Sequence, residues 1–133
     1  MNITLWVLQI VLAVVFFAHG WLFLMPPPDI AVQMNASFPR WFQLSLGVAE
    51  ILAAVGLILP GVTRIFPWLV AWSAGGVTII MILATIFHLL RAEFASAAIT
   101  AVLLAMASFA AYARWQMAPI RQRQTGTAVA PQG

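Results

Sequence analysis

The sequence predicts an all-α integral membrane protein, a four-helix bundle of up-down topology. Four apolar stretches of roughly 19 residues or more recur along the chain, each close to the ~20 residues that a hydrocarbon core of about 30 Å requires. Of the 133 residues, 64% are hydrophobic and 7% charged, with a mean hydropathy of +1.02. Soluble proteins hold about 45–50% apolar and 25% charged residues, so a water-soluble globule is excluded. The third observation is what separates the stretches: prolines, glycines and arginines that suit short loops.

The first helix is read over residues 3–25. It has no basic residues ahead of its apolar run and no small-residue cleavage site after it, so it is expected to stay in the membrane and not to be removed as a signal. Met25-Pro26-Pro27-Pro28-Asp29 stops it. The longest connection, residues 26–40, suits a short interfacial helix through Ile30, Val32 and Met34. The second helix, 41–59, follows Pro39, and Pro60-Gly61 with Pro67 brackets a turn to the third, 68–90. Arg91-Ala92-Glu93 leads to the fourth, 94–117. Residues 1–117 thus form one four-helix domain, and 118–133 read as a cytoplasmic, disordered tail rich in Gln, Thr, Gly, Ala and Pro.

Short connections force neighbouring helices to run antiparallel. Lipid tails are as apolar as leucine, so association must come from close backbone approach at small residues. Gly47, Ala53, Ala54 and Gly56 offer this on the second helix, and Ala97, Ala101, Ala105, Ser108 and Tyr112 form a stripe on the fourth. Tryptophan prefers the headgroup level, which places Trp21 and Trp41 in one belt and Trp6, Trp68, Trp72 and Trp115 in the other. Arg64, Arg114, Arg121 and Arg123 on one side outnumber Arg40 and Arg91 on the other, favouring both termini in the cytoplasm.

The absence of cysteine removes disulfide exchange, thiolate nucleophiles, iron–sulfur clusters and the common zinc sites. The pI of about 11.3 rests on six scattered arginines without a basic run, so nucleic-acid binding is not indicated. No phosphate loop, nucleophile elbow or HExxH motif is present, and an autonomous enzyme is not expected.

Glu50 is the most informative residue. It lies about nine residues into the second helix, roughly 13 Å below the outer boundary and near the bilayer midplane. A charged carboxylate there costs at least about 2.5–3.5 kcal/mol, so it must face protein or water and find a partner, or stay protonated. Gln43, Gly47, Ala53, Ala54 and Leu57 stack on its helix face, which is therefore expected to point inward. Arg40 and Arg91 stand about 13 Å nearer the interface, too far for direct pairing. Glu50 is then either glue between helices or a ligand, proton or ion site.

His19 and His88 sit near the outer ends of the first and third helices, roughly 6 and 10 Å higher than Glu50 along the membrane normal. The three are expected to line one cavity opening outward, with Thr85, Met81, Thr78 and Ala74 continuing the stripe below His88. A haem would need axial ligands at matched depth, whereas the histidines differ by about 4 Å, and a metal site is equally weak with one carboxylate and two imidazoles at unequal heights.

The segments Phe38-Pro39-Arg40-Trp41-Phe42, Leu46-Gly47-Val48-Ala49-Glu50, Gly56-Leu57-Ile58-Leu59-Pro60 and Phe87-His88-Leu89-Leu90-Arg91-Ala92-Glu93 together resemble the DoxX-like family of small bacterial membrane proteins. The resemblance runs from about residue 5 to Arg114 and takes in Gly20, Met81, Ala84 and Ala111-Tyr112. It implies a DoxX-like four-helix bundle in the bacterial inner (cytoplasmic) membrane, related to small subunits linked to a terminal quinol oxidase and to thiosulfate:quinone oxidoreductase. Many relatives carry a lysine about three residues after the helix-one glycine, where this chain has Gly20-Trp21-Leu22-Phe23 and no lysine anywhere.

The function expected on this basis is an accessory subunit with no resident cofactor, holding a quinone or lipid beneath His19 and His88. Glu50 and His88 would meet the polar head, with His19 beside them and with Gln43, Gly47, Thr85, Arg91 and Glu93 in support. Its partners would be the lipid bilayer, a redox complex or further copies of itself. A small proton-coupled transporter and a purely structural subunit are the alternatives.

Overall fold

The computed structural model describes residues 2–124, and these are all-helical apart from short connections. Helix α1 covers Asn2–Leu24, α2 Pro28–Ser37, α3 Arg40–Thr63, α4 Leu69–Leu90 and α5 Phe94–Tyr112, the last prolonged by a π-helical turn over Ala113–Met117. Four of these, α1, α3, α4 and α5 with its extension, are long and apolar enough to cross a bilayer, so this is a multi-pass membrane protein. The short helix expected in the first connection is α2. Pro28 sits in its first turn, where the missing N–H has no intrahelical partner to lose, and none of its residues is buried.

Helices α1 and α3 pack as one antiparallel pair and α4 and α5 as another; α3 against α4 joins the two, and α1 touches α5 more lightly. The core lies at mid-height, where Leu12, Ala13 and Phe16 of α1 meet Ala54 and Leu57 of α3, Ala74, Val77 and Met81 of α4, and Ala107 and Ala110 of α5. The outer surface is equally apolar: Val14, Leu52, Ile79, Leu83, Ile99 and Val102 are each 60% or more exposed. Such a surface suits a lipid bilayer. One end of the bundle carries α2 and the α4–α5 connection; the other carries the termini and the α3–α4 connection.

Three details depart from the sequence expectation. Pro60 does not end its helix: α3 runs on through it to Thr63. Spanning helices tolerate an internal proline, and close to it Gln9 Nε2 of α1 donates to the Leu57 carbonyl at 2.7 Å and ties α1 to α3. The inward face of α5 is Ala97, Ala107 and Ala110, continued by Ala113 and Arg114, while Ala101 and Ala105 are exposed and Tyr112 is 61% exposed. Alanine is so common a helix former that an alanine stripe does not by itself mark a face. Residues 118–124 have no regular structure yet fold back, with the Arg123 N–H donating to the Arg64 carbonyl at 3.1 Å. The rest of the segment read as a tail lies outside the described residues.

Candidate functional site

The site begins where α1 crosses α3. A Cβ placed on Gly20 would stand 2.8 Å from the Gly47 carbonyl oxygen, and one on Gly47 would stand 2.8 Å from the Gly20 carbonyl oxygen. Both distances are shorter than real side chains permit, so only two glycines allow the backbones to meet here. Glu50 follows Gly47 by one turn and His19 directly precedes Gly20, so the crossing sets the two side chains against each other.

The contact they make is short. His19 Nδ1 lies 2.8 Å from Glu50 Oε2. Glu50 is 1% exposed, whereas half of the His19 side chain is exposed on the outer surface of α1, its ring tilted against Phe23 at 4.9 Å. The Gly20–Gly47 contact brings the two residues to nearly one level: a Cβ placed on Gly20 would stand 3.1 Å from Glu50 Cβ. Glu50 thus has a partner that the count of lysines and arginines did not reveal. Which of the two atoms donates depends on the tautomer of the ring.

His88 does not join them. Its Nδ1 lies 2.6 Å from Glu93 Oε2, and Arg91 Nε donates to Glu93 Oε1 at 2.8 Å. The three residues fold a tight α4–α5 connection in which Ala92 takes a left-handed φ of 57° and the Glu93 N–H caps the His88 carbonyl at 2.9 Å. The hydrogen bond from Arg91, and then that from His88, hold the Glu93 carboxyl below its ordinary range. The expected single cavity shared by His19, His88 and Glu50 is therefore replaced by two separate acid–imidazole contacts.

The supporting residues divide in the same way. Gly47 makes the crossing. Gln43, fully buried, donates from Nε2 to Asn35 Oδ1 and the Phe38 carbonyl, and accepts from Arg40, so it fastens α2 to the start of α3. Arg40 also donates to the carbonyls of Phe23 and Leu24 at 3.0 and 2.7 Å. That places a cation on the open C-terminal end of α1, which has no basic residue in its own last turn. Thr85 donates to Thr100 Oγ1 at 3.0 Å and ties α4 to α5.

Sequence reasoning missed the polar contact at the termini end. Arg114, in the π-helical turn, is 4% exposed; its Nε donates to Gln9 Oε1 at 2.6 Å, and its Nη1 donates to Asn2 Oδ1 at 2.8 Å and the Ala118 carbonyl at 3.2 Å. The signal was available: Gln9 is an isolated amide in an apolar run, and Arg114 falls inside the predicted fourth span. A cleft of about 360 Å³ opens beside Arg114, and neither Glu50, His19 nor His88 borders it. Among the described residues no cluster of three or more His, Asp or Glu is assembled that would hold a metal.

The profile of the DoxX-like family matches residues 7–110, most of the chain. The chain belongs to this family. No curated protein and no solved structure gives a significant match to it. The DoxX-like match contains the Gly20–Gly47 crossing, the His19–Glu50 pair and the His88–Glu93 turn, and it stops short of Arg114.

Proposed function

We propose that this DoxX-like protein is an accessory subunit of a bacterial inner-membrane redox complex that binds a quinone or another lipid against the His19–Glu50 pair. The observation that carries the reading is the asymmetry of the pair: a buried carboxyl hydrogen-bonded to an imidazole that is half exposed on an apolar, bilayer-facing surface. An imidazole held at Nδ1 keeps Nε2 for a carbonyl or hydroxyl arriving sideways from the lipid. Glu50 then adjusts the charge of that imidazole by giving or taking the shared proton. The apolar residues around His19 on α1, such as Val15 and Trp21, suit an isoprenoid or acyl tail. The site is thus read as lateral and not as a cavity beneath both histidines. The arginine asymmetry supports both termini in the cytoplasm.

A proton-coupled transporter is favoured less. The α1–α3 pair buries Gln43 and Glu50 towards one end and Gln9 towards the other, and Leu12, Ala13, Phe16, Ala54 and Leu57 fill the space between Glu50 and Gln9 without a polar step. Protein purified in mild detergent and extracted into organic solvent should release a quinone or lipid in near-stoichiometric amount, and His19→Leu should release several-fold less while eluting as the same species. Equal retention in His19→Leu would sink the reading. Uncoupler-sensitive proton flux in proteoliposomes would favour the transporter.

A further inference from the structure

Arg114 raises a question of charge that the first site does not answer. Its guanidinium is almost fully buried, yet its partners, Gln9, Asn2 and the Ala118 carbonyl, are all neutral, and Nη2 has no partner among the described residues. The face of the Trp6 ring lies 5.3 Å from the guanidinium carbon and also carries no formal charge. The chain has three acidic side chains: Glu50 is held by His19, Glu93 closes the α4–α5 turn, and Asp29 begins α2. None stands at the termini end, where Arg64, Arg121 and Arg123 add further positive charge. Burying a cation without a counter-charge is among the costlier arrangements a protein can hold.

A cleft opens beside this residue. Arg114 forms part of its wall together with Trp68, Ala71, Trp115, Pro119 and Gln122. Trp68 and Trp115 are more than half exposed, as interfacial rings at the headgroup level are. A volume of about 360 Å³ admits a phosphate with a small substituent but not a whole lipid, whose tails would leave along the apolar outer surface. The guanidinium fork matches phosphate oxygens in a bidentate fashion, and phosphate is the anion that every phospholipid headgroup carries.

We propose that the Arg114 cleft is a binding site for a phosphate-type anion, either the headgroup phosphodiester of an anionic phospholipid or the free ion. The site is separate from the His19–Glu50 pair and does not rest on its reading. A bound phosphate supplies the missing counter-charge and pins the fold-back of residues 118–124 against α3 and α4.

The test uses the full chain in dodecyl maltoside, with thermal unfolding followed on addition of phosphatidylglycerol, phosphatidylcholine, or inorganic phosphate against chloride at equal ionic strength. Phosphatidylglycerol should raise Tm by several degrees over phosphatidylcholine, since a ligand that binds only the folded state stabilises it by mass action. If inorganic phosphate raises Tm similarly, the free ion suffices; if only phosphatidylglycerol does, the lipid is the source. Gln122→Glu sets a carboxylate in the cleft wall at an exposed position, leaves Arg114 and its bonds in place, and should abolish the shift; Arg114→Gln should do the same wherever it folds. Equal stabilisation by phosphatidylcholine, an undiminished shift in Gln122→Glu, or no shift from either anion would overturn the proposal.

Discussion

At the α2 end the buried ionisable group is an acid, Glu50, whose partner His19 is half exposed; at the termini end it is a base, Arg114, whose side-chain partners are the amides Gln9 and Asn2. The first pair is a short acid–imidazole contact that reaches the bundle surface through His19. The second is charged at every accessible pH and is held by groups that do not titrate. The acid–imidazole pair also lies within the matched family segment, whereas Arg114 lies beyond it. The contrast argues that the α2 end is arranged to respond and the termini end to hold.

The contrast can be broken from either side. The largest loss is expected for Gln9→Leu, which leaves the buried guanidinium without its 2.6 Å acceptor. Destabilisation of about 3 kcal/mol or more, independent of pH, follows from leaving a charged group unsatisfied; urea or thermal unfolding in micelles reads it. Gly47→Val should cost about 1–3 kcal/mol by forcing α1 and α3 apart, because the added carbons meet the Gly20 carbonyl oxygen and the Leu24 side chain of α1. Gly75→Ala is the control: a Cβ there meets nothing within 4 Å, and the helix should gain roughly 0.5–1 kcal/mol.

Glu50→Leu removes one membrane hydrogen bond and should cost only about 0.6–2 kcal/mol, while Glu50→Gln should fold as the parent does and lose the retained quinone or lipid. The smallest effect belongs to Glu93. Its carboxyl is held below the ordinary value of 4.5 by Arg91 and His88, so the contact contributes fully above that pH and is lost as the pH falls below it. Protection against hydrogen exchange at residues 91–94, taken relative to the intrinsic rate at each pH, should fall in that acid window. Glu93→Gln should show the faster exchange at neutral pH and no acid step.

The number and order of the spanning helices, the extra helix between the first two, and the inward face of Glu50 were legible in the sequence because hydropathy and 3.6-residue spacing encode them directly. What was not legible depends on side-chain reach and on pairing between helices. His19 was expected beside Glu50 in one cavity, but their direct bond was not legible, because the Gly20–Gly47 contact that brings them together joins residues far apart in the chain. His88 looked available because nothing in its spacing shows that the chain turns back through Ala92 and delivers Glu93 to it. Pro60 looked like a stop because proline ends most helices, whereas a membrane-spanning helix can run on through it.

The claim that the His19–Glu50 pair meets a ligand from the bilayer is tested most directly by the infrared band of the Glu50 side chain, isolated by subtracting the Glu50→Gln spectrum. Adding decylubiquinone to the purified chain should shift that band or change its share of carboxyl and carboxylate absorption, and His19→Ala should abolish the response. A Glu50 band that stays unmoved at saturating decylubiquinone, or that moves equally in His19→Ala, contradicts the account.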